Sequence, residues 1–138
     1  MQVLVVSVGR LRAPYVDDVA HYAKLLGRYV RLEQIELREA PAPDGLRARL
    51  PTGAFVALLA AGGAQFDSSG FARLIEERRA SGRDLAFVIG GPFGIELEDA
   101  DLRLSLGAMT LPHQLARVVL LEALYRAHKI IAGEPYHH

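Results

Sequence analysis

The chain of 138 residues contains no cysteine. That absence excludes a disulfide scaffold, a thiolate metal site and cysteine-based catalysis. Charge of one sign is also missing, because sixteen Lys and Arg balance sixteen Asp and Glu. The global basicity of generic nucleic-acid binders is therefore absent, and any RNA contact must use local patches. Long hydrophobic runs are lacking as well. The longest, residues 55–61, is far too short to cross a bilayer. The opening Met1-Gln2-Val3-Leu4-Val5-Val6 has neither the basic start nor the cleavage site of a signal peptide. The expectation is a cytoplasmic protein with no membrane partner. Aromatic residues are scarce at 7%, against 51% apolar and 23% charged. This is the balance of one globular domain, residues 1–138, rather than of a disordered chain.

Charge is unevenly placed. Residues 1–50 hold eight basic and six acidic side chains, and residues 51–138 hold eight and ten. The stretch 96–101 alone carries four acids. From Leu102 onward there are four basic residues, two acidic ones and four of the five histidines. The C-terminal tail is thus the leading candidate for contact with RNA.

Hydrophobic periodicity predicts strands at 3–8, 32–38, 55–61, 85–89 and 102–106. It predicts helices over 14–28 and 112–131, each opened by a proline, and over 68–80, where Ser68 or Ser69 could cap. Shorter helical pieces are expected at 46–50 and, in the acidic stretch, at 96–101. Strands that alternate with helices predict an α/β fold with a mostly parallel sheet. No repeat or linker interrupts it. The last helix is apolar most of the way round, through Leu115, Val118, Val119, Leu120, Leu121, Leu124, Ile130 and Ile131. In so small a domain, a second copy could cover part of it, so a symmetric dimer is expected.

Three segments could carry chemistry. Gly90-Gly91-Pro92-Phe93-Gly94 follows a strand, where parallel sheets bind ligands. Its spacing matches neither a dinucleotide fingerprint nor a P-loop, and a tight turn without a ligand explains it equally well. Residues 106–113 form a small-residue loop between strand and helix, offering backbone amides, Thr110 and His113. The tail Tyr136-His137-His138 combines an aromatic ring with imidazoles that could move a proton near neutral pH. A frayed end is the plain alternative. No His-Glu-x-x-His pattern, acidic ligand set or serine elbow is present, so no metal is expected.

Taken together, these segments resemble a known family. Phe87-Val-Ile-Gly-Gly-Pro-Phe-Gly94, Leu104-Ser-Leu-Gly-Ala-Met-Thr-Leu-Pro-His-Gln114, Leu121-Glu-Ala-Leu-Tyr-Arg-Ala127 and Gly133-Glu-Pro-Tyr-His137 are similar to the small SPOUT-class ribosomal methyltransferases. Val8-Gly-Arg-Leu-Arg12 and Tyr15 fit the opening of that family, so the likeness covers nearly the whole chain. The family methylates N3 of pseudouridine 1915 in bacterial 23S rRNA. The resemblance implies a SPOUT-type α/β fold with helices on both faces and a C-terminal trefoil knot, an exception to unknotted topology. It further implies a homodimer, S-adenosylmethionine as cofactor, and 23S rRNA in the assembled ribosome as substrate.

By position, Leu59, Gly90, Leu106, Gly107, Ala108, Met109, Thr110 and Leu111 match the family's cofactor-binding residues. Tyr136 and His137 match the tail that closes its active site, and Arg126 and Glu122 match polar positions on the last helix. Methyl transfer needs positioning and an electron-rich nucleophile rather than a metal. His137, or Arg126 as a cation stabilising the developing anion, would help the uracil N3 lose its proton. The alternatives are methylation of another RNA, and a dimeric ribosome-binding or nucleotide-sensing module that keeps the fold without turnover. The chain is shorter than the family between Arg38 and Ala54, and has Ala60 and Ala64 where an acidic residue and a lysine are usual.

Overall fold

The structure is a computed structural model and describes residues 1–91 and 94–136. Along the chain run β1 (Gln2–Val8), α1 (Tyr15–Leu26), β2 (Arg31–Leu37), α2 (Pro43–Arg47), β3 (Phe55–Ala64), α3 (Ser68–Ala80), β4 (Leu85–Ile89), β5 (Leu102–Leu104) and α4 (His113–Ile131). The strands form one sheet in the order β2-β1-β4-β3-β5, and all four ladders are parallel. Parallel neighbours cannot be joined by a tight turn, so the chain must cross a face of the sheet between them. The α/β architecture with a parallel sheet is the one expected.

Alternation along the strands sends Val3, Val5, Phe55, Ala57, Leu85 and Phe87 to one face. There they meet Val19 and Leu26 of α1, Phe71 and Ile75 of α3, and Leu120 and Leu124 of α4. Leu4, Val6, Val56, Leu58, Ala86 and Val88 face the other side, under Leu46, Leu50 and Leu97. α2 has only five residues, too few to be stable alone. The fully buried Leu46 contributes about 2 kcal/mol and docks it onto the sheet.

Three details depart from the expectations. Residues 96–101 are not a helix; the chain turns there without regular structure. The acidic side chains serve separate anchors instead. Asp101 accepts a hydrogen bond from the Val56 amide at 2.8 Å, Asp99 pairs with Arg47 at 2.8 Å, and Leu97 just before them is buried. Anchoring to different elements holds the segment out of a helix. The cap of α3 is Asp67, whose carboxylate accepts from the Gly70 amide at 2.7 Å, rather than Ser68 or Ser69. β3 also continues through the two glycines to Ala64. Its ladder with β5 shifts register, so that Leu59 and Ala64 both pair with Leu104. That detour brings residue 63 against β5. A Cβ there would lie 2.5 Å from the Arg103 carbonyl oxygen, so only glycine fits.

Candidate functional site

Parallel strands all end on one edge of the sheet, and ligands of such sheets bind outside those carboxyl ends. Here the ends of β3, β4 and β5 surround a cavity of about 720 Å³. Leu59 lines it from β3, and Gly90, Gly91 and Gly94 line it from the loop after β4. Leu106, Gly107, Met109, Thr110 and Leu111 close it from the loop before α4, with His113 at the start of that helix. Seven of the eight residues expected to bind the cofactor therefore share one concave surface. Ala108 is exposed and is not among the lining residues. Met109, 83% exposed, is a rim residue rather than core.

Gly90 has a steric reason for its identity. A Cβ at this position would stand 2.9 Å from the Gly94 carbonyl carbon and the Ile95 nitrogen, closing the loop on itself. The wall is thus mostly backbone, glycine and aliphatic carbon. Its charged members are Glu96 and Arg103. A volume of this order suits a drug-sized or nucleotide-sized molecule.

A smaller cavity of about 300 Å³ adjoins it, and Leu104, Leu106 and Gly107 line both. Phe66, Asp67, Ser68 and Phe71 form one wall, and Glu122 and Arg126 of α4 form another. Glu122 and Arg126, one helical turn apart, form an ion pair through Glu122 Oε1 and the guanidinium. The Tyr136 hydroxyl donates to that same carboxylate oxygen, and the Arg126 guanidinium lies 4.3 Å from the Tyr136 ring centre. Burial and the Glu122 carboxylate push the Tyr136 phenol up to about 12. It therefore stays protonated at neutral pH, as a donor and not a base. The hydrogen bond to Glu122 likewise raises Arg126 above the ordinary guanidinium value, so it remains a cation. Tyr136 and Arg126, each expected from the family resemblance to belong to the active site, are in contact. His137 lies outside the described residues.

Residues 1–137 match the family described as "Predicted SPOUT methyltransferase". The chain belongs to the SPOUT methyltransferase family. It is 39% identical to Ribosomal RNA large subunit methyltransferase H of Carboxydothermus hydrogenoformans over 158 aligned positions, covering 99% of both. The proteins of that name from Gemmatimonas aurantiaca and Streptococcus gordonii are 42% and 37% identical, again with 99% of each chain covered. Alignments of 158 positions for a chain of 138 residues mean that these relatives carry residues this one lacks.

As a SPOUT methyltransferase, the chain is an enzyme that moves a methyl group from a donor to an acceptor. The chain has two adjoining cavities, one large with a backbone-rich wall, the other small with the Arg126 cation beside it. Among the described residues, no group of three or more His, Cys, Asp or Glu side chains is placed to hold a metal ion. No helix of the described residues is long and apolar enough to cross a membrane.

Two buried polar residues of this SPOUT methyltransferase have no role in the sequence reading, although Gln114 ends one of its motifs. Arg117 is 6% exposed and donates to Gln34 at 2.8 and 3.0 Å, to Glu36 at 2.7 Å and to Ser7 at 3.3 Å. Gln114, also buried, accepts from the Arg12 amide at 2.8 Å and donates to the Arg10 carbonyl at 3.1 Å. Their signal in the sequence is polarity in the first half of a helix that is apolar most of the way round.

Proposed function

We propose that this chain transfers the methyl group of S-adenosylmethionine to N3 of pseudouridine 1915 in 23S rRNA of the assembled ribosome. The names of its relatives support the substrate, and the paired cavities support the reaction. One observation carries most weight. The large cavity and the small one share Leu104, Leu106 and Gly107 in their walls, so a donor in the first and a flat ring in the second would meet at that loop.

In this reading Leu59, Gly90 and residues 106–111 hold the adenosine through backbone groups and aliphatic contact, and Glu96 faces the cationic sulfonium. The cofactor supplies an electrophilic methyl group on sulfur. The acceptor ring lies between Phe66 and Phe71 on one side and Arg126 on the other. An imide N–H attacks only after losing its proton, and Arg126 stabilises the negative charge left on the ring. Tyr136 and Glu122 keep the guanidinium in place. His137, beside Tyr136 in sequence, is the proposed base. Two copies of the chain pair, and the segment after β4 threads as a trefoil knot around the cofactor site.

The test is methyl transfer from labelled S-adenosylmethionine to methylation-deficient ribosomes, with nucleoside mass spectrometry of the rRNA. We expect 3-methylpseudouridine, and about a hundredfold lower kcat for Arg126→Ala with cofactor affinity retained. Methyl transfer to another RNA, or cofactor binding without transfer, would overturn the substrate or the activity respectively.

A further inference from the structure

We propose that the loop leaving β1, residues 9–14, is a preformed RNA clamp: Arg10 and Arg12, with Arg38 beside them, hold the phosphate backbone of the substrate at the mouth of the donor cavity. It rests on the RNA-methylation reading and adds the surface that would grip the RNA.

Placement comes first. The Gly9 amide donates to the Leu37 carbonyl at 2.7 Å, which ties the exits of β1 and β2 side by side. Arg10 and Arg12 follow one exit and Arg38 the other, and all three are exposed. Parallel strands put these exits on the edge that carries the large cavity. Gly9 is the link between them, since a Cβ there would lie 3.4 Å from Nε2 of His113, a cavity-lining residue.

Rigidity is the second observation. Surface loops are usually held by little more than their ends. This one has three consecutive residues fixed by side chains from other elements. Gln114 of α4 bonds the Arg10 carbonyl and the Arg12 amide, and Glu36 of β2 accepts from the Leu11 amide at 3.1 Å. Glu36 is in turn fixed by the buried Arg117 at 2.7 Å. The backbone ordering cost is met during folding, so a ligand bound here pays less of it.

Availability is the third. Among the described residues, the guanidiniums of Arg10, Arg12 and Arg38 donate no hydrogen bond and close no ion pair. Glu36 is hydrogen-bonded to Arg117 and feels Arg10 only through space, and Asp17 and Asp18 lie in the first turn of α1. Glu39 follows Arg38 directly in the chain. Arginine forks match phosphate oxygens in pairs, so the chemistry favoured is a phosphodiester strand. In a chain of zero net charge, this local patch supplies the electrostatic footprint that RNA binding requires.

The experiment uses the full chain carrying Arg10→Ala, Arg12→Ala or both, with unmethylated bacterial ribosomes at several salt concentrations. Each substitution should raise the KM for ribosomes several-fold and reduce the salt slope of binding by about one. The KM for S-adenosylmethionine, kcat and thermal midpoint should not move, and Arg10→Lys should restore most of the loss. Unchanged ribosome KM and salt slope in the double variant would overturn the clamp. So would a loss that appears equally in the cofactor KM, because the loop would then merely support the cavity. Should the unaltered chain transfer nothing to ribosomes, the substrate reading fails by itself. The clamp is then judged by anisotropy of a short single-stranded RNA: the double variant loses affinity if it is right and keeps it if it is wrong.

Discussion

His128 sits on α4 with 1% of its surface exposed, its Nδ1 2.8 Å from the Leu124 carbonyl oxygen. Nδ1–H donates in that contact, and Nε2 is buried with no hydrogen-bond partner among the described residues. Burial, with Arg79 and the N-terminal amine adding repulsion, lowers its pKa in the folded chain. The native site therefore refuses a proton that the unfolded chain accepts below about pH 6.5. Stability contributed by the neutral ring is complete above that value and is lost as pH falls toward the lower folded value. Urea midpoints measured between pH 7.5 and 5.5 should drop, and His128→Gln should remove that part of the slope. A slope unaltered in the variant would place the titration elsewhere. No sequence motif distinguishes this imidazole from a surface one, because its environment is assembled by the distant Tyr29, which packs against it and against Tyr125.

At the level of elements, α4 does more than cover the sheet. Through Arg117 it is bonded to the ends of both β1 and β2, and Glu36 is held below its ordinary carboxylate value chiefly by that arginine. Truncating one partner of a buried ionic network strands the others. Glu36 keeps a third of its side chain in water, so the lower end of the usual range applies. Arg117→Ala should cost about 2–3 kcal/mol in urea unfolding at pH 7, and Arg117→Leu a similar amount. No loss would mean that the network is idle. The five strands are legible in the sequence because β-branched runs such as Val3, Val5 and Val6 have no other use in so short a segment. α1, α3 and α4 are legible from their periodicity. The stretch 96–101 is not, because four acids within six residues look like a solvated helix. Only the tertiary positions of the Val56 amide and Arg47 show that Asp101 and Asp99 are tethers. Of the candidate site, the glycine and small-residue loops are visible as motifs. The Glu122–Arg126–Tyr136 contact requires the tail to return to α4, which spacing alone does not specify.

For the molecule as a whole, a monomer of 15.1 kDa is expected to expose about 7,100 Å². This chain exposes 7815 Å², roughly 700 Å² more, which is close to one partner's share of an ordinary interface. Val16 of α1 and Ile130 of α4 are 44% and 40% exposed on helices that pack together. Sedimentation at micromolar concentration should give twice the chain mass, and Val16→Asp with Ile130→Glu should return it to the single-chain value. A monomeric unaltered chain would exclude the dimer.

The doubled meeting of β3 with Leu104 has a consequence for how this sheet ends. An outermost strand normally offers a row of unpaired amides and carbonyls to any passing chain. β5 is only three residues long, and its neighbour engages its last residue twice. The opposite border, β2, carries the charged residues Arg31, Glu33 and Glu36, all of them exposed in part. Neither border gives an incoming strand a flat, apolar template. The same detour, whose Ala60 and Ala61 line the large cavity, thus also protects the chain against strand-by-strand self-association.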